Sequence, residues 1–273
     1  MAADLGLIAA LRAGLLAQAD ARRAPAMQAY MKSALPFHGV PTPQRRRLAA
    51  AALAAHPVTD GATLADTAAR LWREATHREQ RYVALDLLRA PRLRRLLDAA
   101  MLPLLESMIV EGAWWDVVDE ISGQPLARVL VAAPAAVKPE LRRWARGDDL
   151  WLRRAAMLAQ RGLRADFDAP LFYETLLPSL AGGRHADAFF IRKGMGWALR
   201  ERAYAAPDEV RAFCREYGDR LSPLTVREAL RALGALSVAR TSSAAPAPAE
   251  PTAAHPAPPA RARAPSPRRA ASR

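Results

Sequence analysis

The segment with the densest chemistry spans residues 113–119 and reads Ala-Trp-Trp-Asp-Val-Val-Asp. On a helix, Trp115 and Asp119 share a face because they are four residues apart, whereas Trp114 and Val118 share the adjacent face. One tryptophan can therefore anchor the core while the other stands beside a carboxylate. The alternative is that both tryptophans belong to the core and that Asp119 is an exposed or capping residue.

Two further segments combine aromatic and basic residues. Residues 149–154 start a helix with an aromatic side chain followed by paired arginines, and residues 189–201 place Lys193 and Trp197 on one helix face. Gly194 and Gly196 are unusual in a helix, where each costs up to ~1 kcal/mol relative to alanine. These glycines would be explained by the close approach of another backbone segment or of a ligand. Tight packing between helices would explain them equally.

The elements that carry these residues are predicted to be helices throughout. Ala, Leu, Arg and Glu dominate, and apolar residues recur at spacings of three and four. Thr42-Pro43 and Ser222-Pro223 each predict an N-cap hydroxyl followed by proline at the first helical position. Residues 76–79 resemble a capping box. Because no segment alternates with period two, the predicted fold class is all-α.

Similar helices return along the chain at a nearly regular interval. Segments beginning at Arg81, Asp119, Arg154 and Lys193 lie about 38, 35 and 39 residues apart. This interval is near the ~40-residue period of stacked helix pairs, so it predicts a HEAT-like solenoid, an α-α superhelix. An irregular helical bundle is the alternative.

The charge of the chain indicates a nucleic-acid partner. Its 273 residues contain 40 Lys and Arg against 27 Asp and Glu, a formal charge of +13, and only three of the cations are lysines. Guanidinium groups suit phosphate because they donate two parallel hydrogen bonds. A single cysteine excludes a disulfide framework, and the five histidines lack metal-ligand spacing. We therefore expect no metal and no cofactor.

Composition divides the chain into two parts. Residues 1–238 form the predicted repeat domain, and residues 239–273 form a basic tail rich in Ala, Pro and Arg. From residue 241 onward there is no Leu, Ile, Val or aromatic residue, and five arginines and one glutamate contribute +4 to the charge. Such a segment cannot offset the entropy of ordering, so the tail is predicted to be disordered. The N-terminus is predicted to be an amphipathic helix and not a secretion signal.

Six co-linear segments together resemble the bacterial alkylpurine DNA glycosylases built from HEAT-like repeats, the AlkD type. The segments are residues 27–32, 37–46, 81–88, 114–119, 151–154 and 189–201. The resemblance runs from about residue 5 to residue 235 in consistent order and spacing, and it leaves out the tail.

The resemblance implies both an activity and a set of roles. Members of the family hydrolyse the N-glycosidic bond of cationic bases such as 3-methyladenine and 7-methylguanine in duplex DNA and leave an abasic site. They grip DNA on a concave face without a deep base pocket. By resemblance, Asp119 is the catalytic carboxylate, and Trp115 and Trp197 lie against the deoxyribose of the lesion. Arg154 lies on the DNA backbone beside that sugar, and Tyr30 lines the site.

This sparse set of groups suits the chemistry. A cationic alkylpurine is already a good leaving group, so the barrier mainly requires stabilisation of an oxocarbenium-like sugar and placement of a water. One carboxylate can do both. Polar residues near the matched segments are expected to bind the DNA backbone, although an exposed helix face is the alternative for any one arginine. They are Thr42, Arg45, Arg46, Arg153, Arg192, Lys193 and Arg200.

Other classes fit less well. The Leu-Pro-Gly-Val-Gly-like hairpin of helix-hairpin-helix glycosylases, a serine-hydrolase elbow and the GxxxxGK[ST] motif are all absent from the sequence. The remaining rival is a non-catalytic HEAT-like DNA-binding or scaffold protein. We expect a monomeric DNA-repair enzyme of the bacterial cytoplasm, associated with the nucleoid through alkylated double-stranded DNA and not with a membrane.

Overall fold

The computed structural model describes residues 2–240, with side chains to residue 233. Within that part of the chain there are fourteen α-helices and no strand, which confirms the predicted all-α class. The helices are α1 (Leu5–Ala17), α2 (Ala24–Met31), α3 (Thr42–Ala55), α4 (Gly61–Arg73), α5 (Arg78–Leu88), α6 (Leu102–Gly112), α7 (Trp115–Ile121), α8 (Ala127–Ala132), α9 (Pro134–Arg146), α10 (Leu150–Leu158), α11 (Ala169–Leu176), α12 (Phe189–Ala203), α13 (Pro207–Glu216) and α14 (Pro223–Arg240). A π-helical turn, Ser122–Leu126, joins α7 to α8.

The helices stack in two rows. Helices α3, α5, α7, α10, α12 and α14 form one row, here called the site row, in which each helix contacts the next. The second row consists of α1, α4, α6, α9 and α13. Each of these helices packs against the next site-row helix along the chain. This regular pairing is that of a helical-repeat solenoid, as the repeat interval predicted, and not of an irregular bundle.

Local sequence signals account for several helix starts. The Ser222 hydroxyl caps α14 by accepting the backbone N–H of Thr225 at 3.0 Å, as predicted. Asp149 caps α10 through two backbone N–H groups. At α3 the start differs by one residue, because Thr42 is the first helical residue and Pro41 occupies the N-cap position.

The predicted capping box at residues 76–79 is wrong. Helix α5 begins after His77, and Glu79 does not reach back to the helix start. Its carboxylate is instead fully buried and accepts the backbone N–H groups of residues 38, 39 and 40 at 2.8–3.1 Å. The loop before α3 would otherwise leave these donors unpaired in the interior, so Glu79 fixes that loop to the site row.

Two hydrophobic clusters fill the space between the rows. The first runs from Leu7 to Leu171 and the second from Met157 to Leu233, so α10 contributes to both. The predicted N-terminal amphipathic helix is α1, whose buried face enters the first cluster. No helix among the described residues is long and apolar enough to span a membrane. Of the predicted tail, residues 239–240 belong to α14, and residues 241–273 lie outside the described residues.

Candidate active site

A cavity of about 500 Å³ opens on the site row. Its walls come from helices as far apart in sequence as α2 and α12. Tyr30, Trp115, Asp119 and Trp197 all border the cavity. The structure therefore brings together four of the five residues that the resemblance assigned to the lesion site. Arg161 borders it as well.

Asp119 is held by a bidentate ion pair with Arg154. The Nε and Nη2 atoms of Arg154 donate to the two carboxylate oxygens, each at 2.8 Å. The Asp119 side chain is 13% exposed, whereas that of Arg154 is 4% exposed. The carboxylate thus reaches the cavity while the guanidinium that orients it stays buried.

Arg154 also connects α10 to α12. Its Nη1 atom donates to the backbone carbonyl of Phe190 at 2.5 Å. Gly194, one turn further along α12, leaves the space that the guanidinium occupies, because a Cβ atom there would lie 2.7 Å from Nη1. In this structure Arg154 is thus a partner of Asp119. The contact between Arg154 and the DNA backbone, which the resemblance implies, stays a prediction.

The other carboxylate of the motif, Asp116, has a different environment. Arg78 donates to both of its oxygens at 2.7 and 3.0 Å, and the Tyr82 hydroxyl donates to one of them. Burial raises the pKa of Tyr82 above its ordinary value, so the phenol remains a donor. Although Asp116 also borders the cavity, its carboxylate joins α7 to α5.

The tryptophans divide as the helical spacing predicted. Trp114 is buried and packs against Trp151 and Phe190, with ring centroids 6.1 and 5.3 Å away. Trp115 faces the cavity. Across the cavity, the indole N–H of Trp197 donates to Glu201 at 3.2 Å.

Tyr30 and Glu120 complete the rim of the cavity. Tyr30 lies near the end of α2 and is 69% exposed, so its ring is available to a ligand. Burial raises the pKa of Glu120, an effect that the charge of Arg46 opposes. Glu120 pairs with Arg46 at 3.4 Å and with Arg89 at 2.9 Å.

The predicted DNA-binding residues separate into exposed and buried groups. Thr42 and Arg46 are exposed at the cavity rim. Lys193 and Arg200 are partly exposed, and both bind the buried carboxylate of Glu228, at 2.6 and 2.7 Å. Arg192 is half-buried.

Arg45 and Arg153 differ from the expectation. Arg45 is buried in an ion pair with Asp86, 2.6 Å away. Arg153 is 3% exposed and donates to backbone carbonyls of Gly147, Pro178 and Arg146. Both guanidinium groups are already bound within the protein, so the geometry favours a structural role over a phosphate contact.

Sequence reasoning missed Arg161 and Glu228. Arg161 lies in the turn after α10, which ends at Leu158, so helical spacing from Arg154 does not point to it. Glu228 gave no signal either, because a buried acid and an exposed one look alike in a sequence. Among the described residues, no group of three or more His, Cys, Asp and Glu side chains could hold a metal ion.

The fold and the site together define a helical-repeat protein with an aromatic, carboxylate-bearing cavity. Residues 11–233 match the family model described as "DNA alkylation repair enzyme", and the chain belongs to that family. Its structure is similar to a solved structure described as a predicted DNA alkylation repair enzyme from Enterococcus faecalis, with 26% sequence identity and a TM-score of 0.68. The match covers 79% of this chain and 97% of the other. Comparison with curated proteins finds no match.

Proposed function

We propose that the protein is a monofunctional DNA glycosylase of the AlkD type, which hydrolyses the N-glycosidic bond of N3- and N7-alkylated purines in duplex DNA. It would act as a monomer, without metal or cofactor, and leave an abasic site. The observation that carries the proposal is the Asp119 carboxylate, held by Arg154 at a cavity that Trp115 and Trp197 border. Membership in the DNA alkylation repair family supports it.

The proposed reaction uses Asp119 twice. The alkylated purine carries a positive charge, so breaking its bond to the sugar releases a neutral base and leaves an oxocarbenium-like deoxyribose. The carboxylate stabilises that cation and accepts a proton from the water that attacks it. Arg154 occupies one acceptor site on each oxygen, and a carboxylate has about four, so sites remain for the water.

The aromatic residues would stabilise the same charge. An indole face attracts a cation by ~0.5–2 kcal/mol, depending on how far the pair is removed from water. Trp115 and Trp197 border the cavity from α7 and α12, so a deoxyribose entering it would meet one or both rings. Tyr30 adds an exposed ring at the rim.

Polar groups on the helices that border the cavity would bind the duplex. Thr42 and Arg46 lie on one side, and Arg192, Lys193 and Arg200 lie on the helix that carries Trp197. Each phosphate that such a cation neutralises steepens the salt dependence of binding by about 0.9 in log–log slope. These contacts would hold the backbone while the lesion faces Asp119.

The deciding experiment replaces Asp119 with asparagine. We expect Asp119→Asn to slow release of 7-methylguanine from alkylated duplex DNA at least about 100-fold in single-turnover assays, because the stabilising charge is lost. Affinity for undamaged duplex DNA should stay nearly unchanged. Undiminished base release would remove the assignment.

Asp116→Asn is the matched control. Both substitutions remove a carboxylate from α7 that accepts two hydrogen bonds from a buried arginine, so both should lower stability to a similar extent. Only Asp119→Asn should abolish base release. If the wild-type protein binds DNA and releases no alkylated base, the rival reading of a non-catalytic binder is correct.

A further inference from the structure

Arg161 lies three residues after the end of α10 and contacts two residues of the proposed site. Its Nη2 atom donates to the backbone carbonyl of Asp119 at 3.0 Å. Its Cζ atom lies over the ring of Trp197, 4.0 Å from the centroid. One guanidinium therefore connects α7, which carries the carboxylate, to α12, which carries the second tryptophan.

The space that Arg161 occupies depends on Gly123. An ideal Cβ atom at Gly123 would lie 2.1 Å from Nη2 and 2.9 Å from Cζ of Arg161, closer than real Cβ contacts occur. Gly123 belongs to the π-helical turn that follows α7, where the helix is wider than a regular α-helix. The absence of a side chain at this turn thus admits the guanidinium.

The surroundings of Arg161 favour a fixed position. Burial lowers its pKa, but the carboxylates of Asp119, Glu201 and Glu120 act in the opposite direction, and an arginine stays charged in any case. Glu201 also accepts the indole N–H of Trp197. The ring of Trp197 is therefore held at its edge by Glu201 and at its face by Arg161.

We propose that Arg161 is a positioning residue, which fixes the ring of Trp197 relative to Asp119 and so sets the gap that the deoxyribose enters. This inference rests on the proposed glycosylase function. It assigns Arg161 no contact with the reacting atoms, because the group acts through Trp197 and the Asp119 backbone. A phosphate ligand at the same position is the competing role.

The position of Trp197 can be measured without any substrate. In full-length protein labelled with 5-fluorotryptophan, each of the six tryptophans contributes a ¹⁹F resonance, and Trp197→Phe assigns one of them. We expect Arg161→Gln to shift that resonance, since the cation leaves the ring face. Arg164→Gln removes the same charge from an exposed position three residues away and should leave the resonance in place.

Base release then tests the consequence for catalysis. We expect Arg161→Gln to slow single-turnover release of 7-methylguanine roughly 10- to 100-fold, because misplacing a reacting group by about an ångström has that effect. Affinity for undamaged duplex DNA should change little. Arg161→Lys keeps the charge and should restore part of the rate.

Gly123→Ala provides an independent test that leaves Arg161 itself intact. The new methyl group should expel the guanidinium and reproduce both the fluorine shift and the slow base release. Gly218→Ala, at a position with nothing within 4 Å of the added Cβ, is the matched control and should have neither effect.

The outcomes separate the two proposals. An unmoved Trp197 resonance in Arg161→Gln and Gly123→Ala would overturn the positioning role. A weaker DNA affinity and a lower salt slope, with unchanged resonance and rate, would assign Arg161 to a phosphate instead. Full activity of Asp119→Asn would contradict the glycosylase mechanism, and it is read from base release by a different variant, whereas the positioning role is read from the ¹⁹F resonance without substrate.

Discussion

At the scale of single residues, Asp116 and Asp119 show how neighbours determine what a carboxylate can do. Both lie on α7 and both are bound by an arginine through two hydrogen bonds. Asp116 also accepts the Tyr82 hydroxyl, whereas Asp119 retains acceptor sites toward the cavity. Helical spacing places Asp119 on the face of Trp115, but only the partners show which carboxylate keeps acceptor sites toward the cavity.

The contribution of an indole face can be measured at Trp115. We expect Trp115→Leu to slow single-turnover base release roughly 2- to 30-fold, the factor that corresponds to a cation–π interaction of ~0.5–2 kcal/mol. Trp115→Phe keeps an aromatic face and should lose less. Equal rates for the two variants would show that the ring face contributes nothing.

What the sequence predicted at this scale was the face on which a residue lies. Trp115 and Asp119 both border the cavity because they lie four residues apart on α7, whereas Trp114, the extended N-cap residue, enters the core. Burial of polar residues was not predictable. Arginine and glutamate usually lie on the surface, yet Arg153 and Glu79 are both buried. Each binds backbone groups that are distant in sequence.

At the scale of elements, Gly194 and Gly196 are present in α12 for different reasons. The sequence alone allowed either a close ligand or backbone, or tight helix packing, at both positions. Gly194 faces the guanidinium of Arg154, while Gly196 faces α14, where a Cβ atom would lie 2.6 Å from Cβ of Glu228 and 2.9 Å from the Thr225 carbonyl. One glycine makes room for the site and the other for a packed helix. Helix periodicity predicted α12 itself, but not what lies against each glycine.

These explanations predict different consequences for two alanine substitutions, since only the one at Gly194 displaces Arg154. Gly194→Ala should slow base release at least about 10-fold, because Arg154 must move away from Asp119. Its thermal stability should fall as well, because the displaced guanidinium loses a buried ion pair, a loss larger than the ~1 kcal/mol by which alanine favours the helix. Gly196→Ala should lower the free energy of unfolding by about 1–3 kcal/mol, the usual effect of overpacking.

Thermal unfolding and single-turnover kinetics on both variants check this pair. A Gly194→Ala protein with the wild-type rate would show that Arg154 adjusts without disturbing Asp119. A Gly196→Ala protein of wild-type stability would show that α12 and α14 can separate freely.

At the scale of the whole molecule, the net charge is +13, and ion pairs hold many of the cationic side chains in fixed positions. Glu228 alone gathers Lys193, Arg200 and Arg231 around one buried carboxylate. Burial raises the pKa of Glu228, but the hydrogen bond from Lys193 and the surrounding cations outweigh it, so the net pKa is lowered. Charge composition predicted a nucleic-acid partner, and the pairing determines which cations face outward.

The basic segment after residue 240 is predicted to act on affinity alone. Deleting residues 241–273 removes five arginines, so the log–log salt slope of DNA binding should fall by no more than about 4.5. Affinity should weaken modestly at low salt, and the single-turnover rate should stay unchanged. Titrations at several salt concentrations measure the slope, and a collapse of the rate would place the segment in the site.

The contacts of Arg154 have a consequence for the modularity of the fold. Repeat proteins often tolerate loss of a terminal unit, because each unit mainly contacts its neighbours. Here a side chain of α10 needs Asp119 from the preceding repeat and the Phe190 carbonyl from the following one. The site therefore belongs to three consecutive repeats at once, and a chain that ended before α12 could keep Asp119 without keeping it oriented.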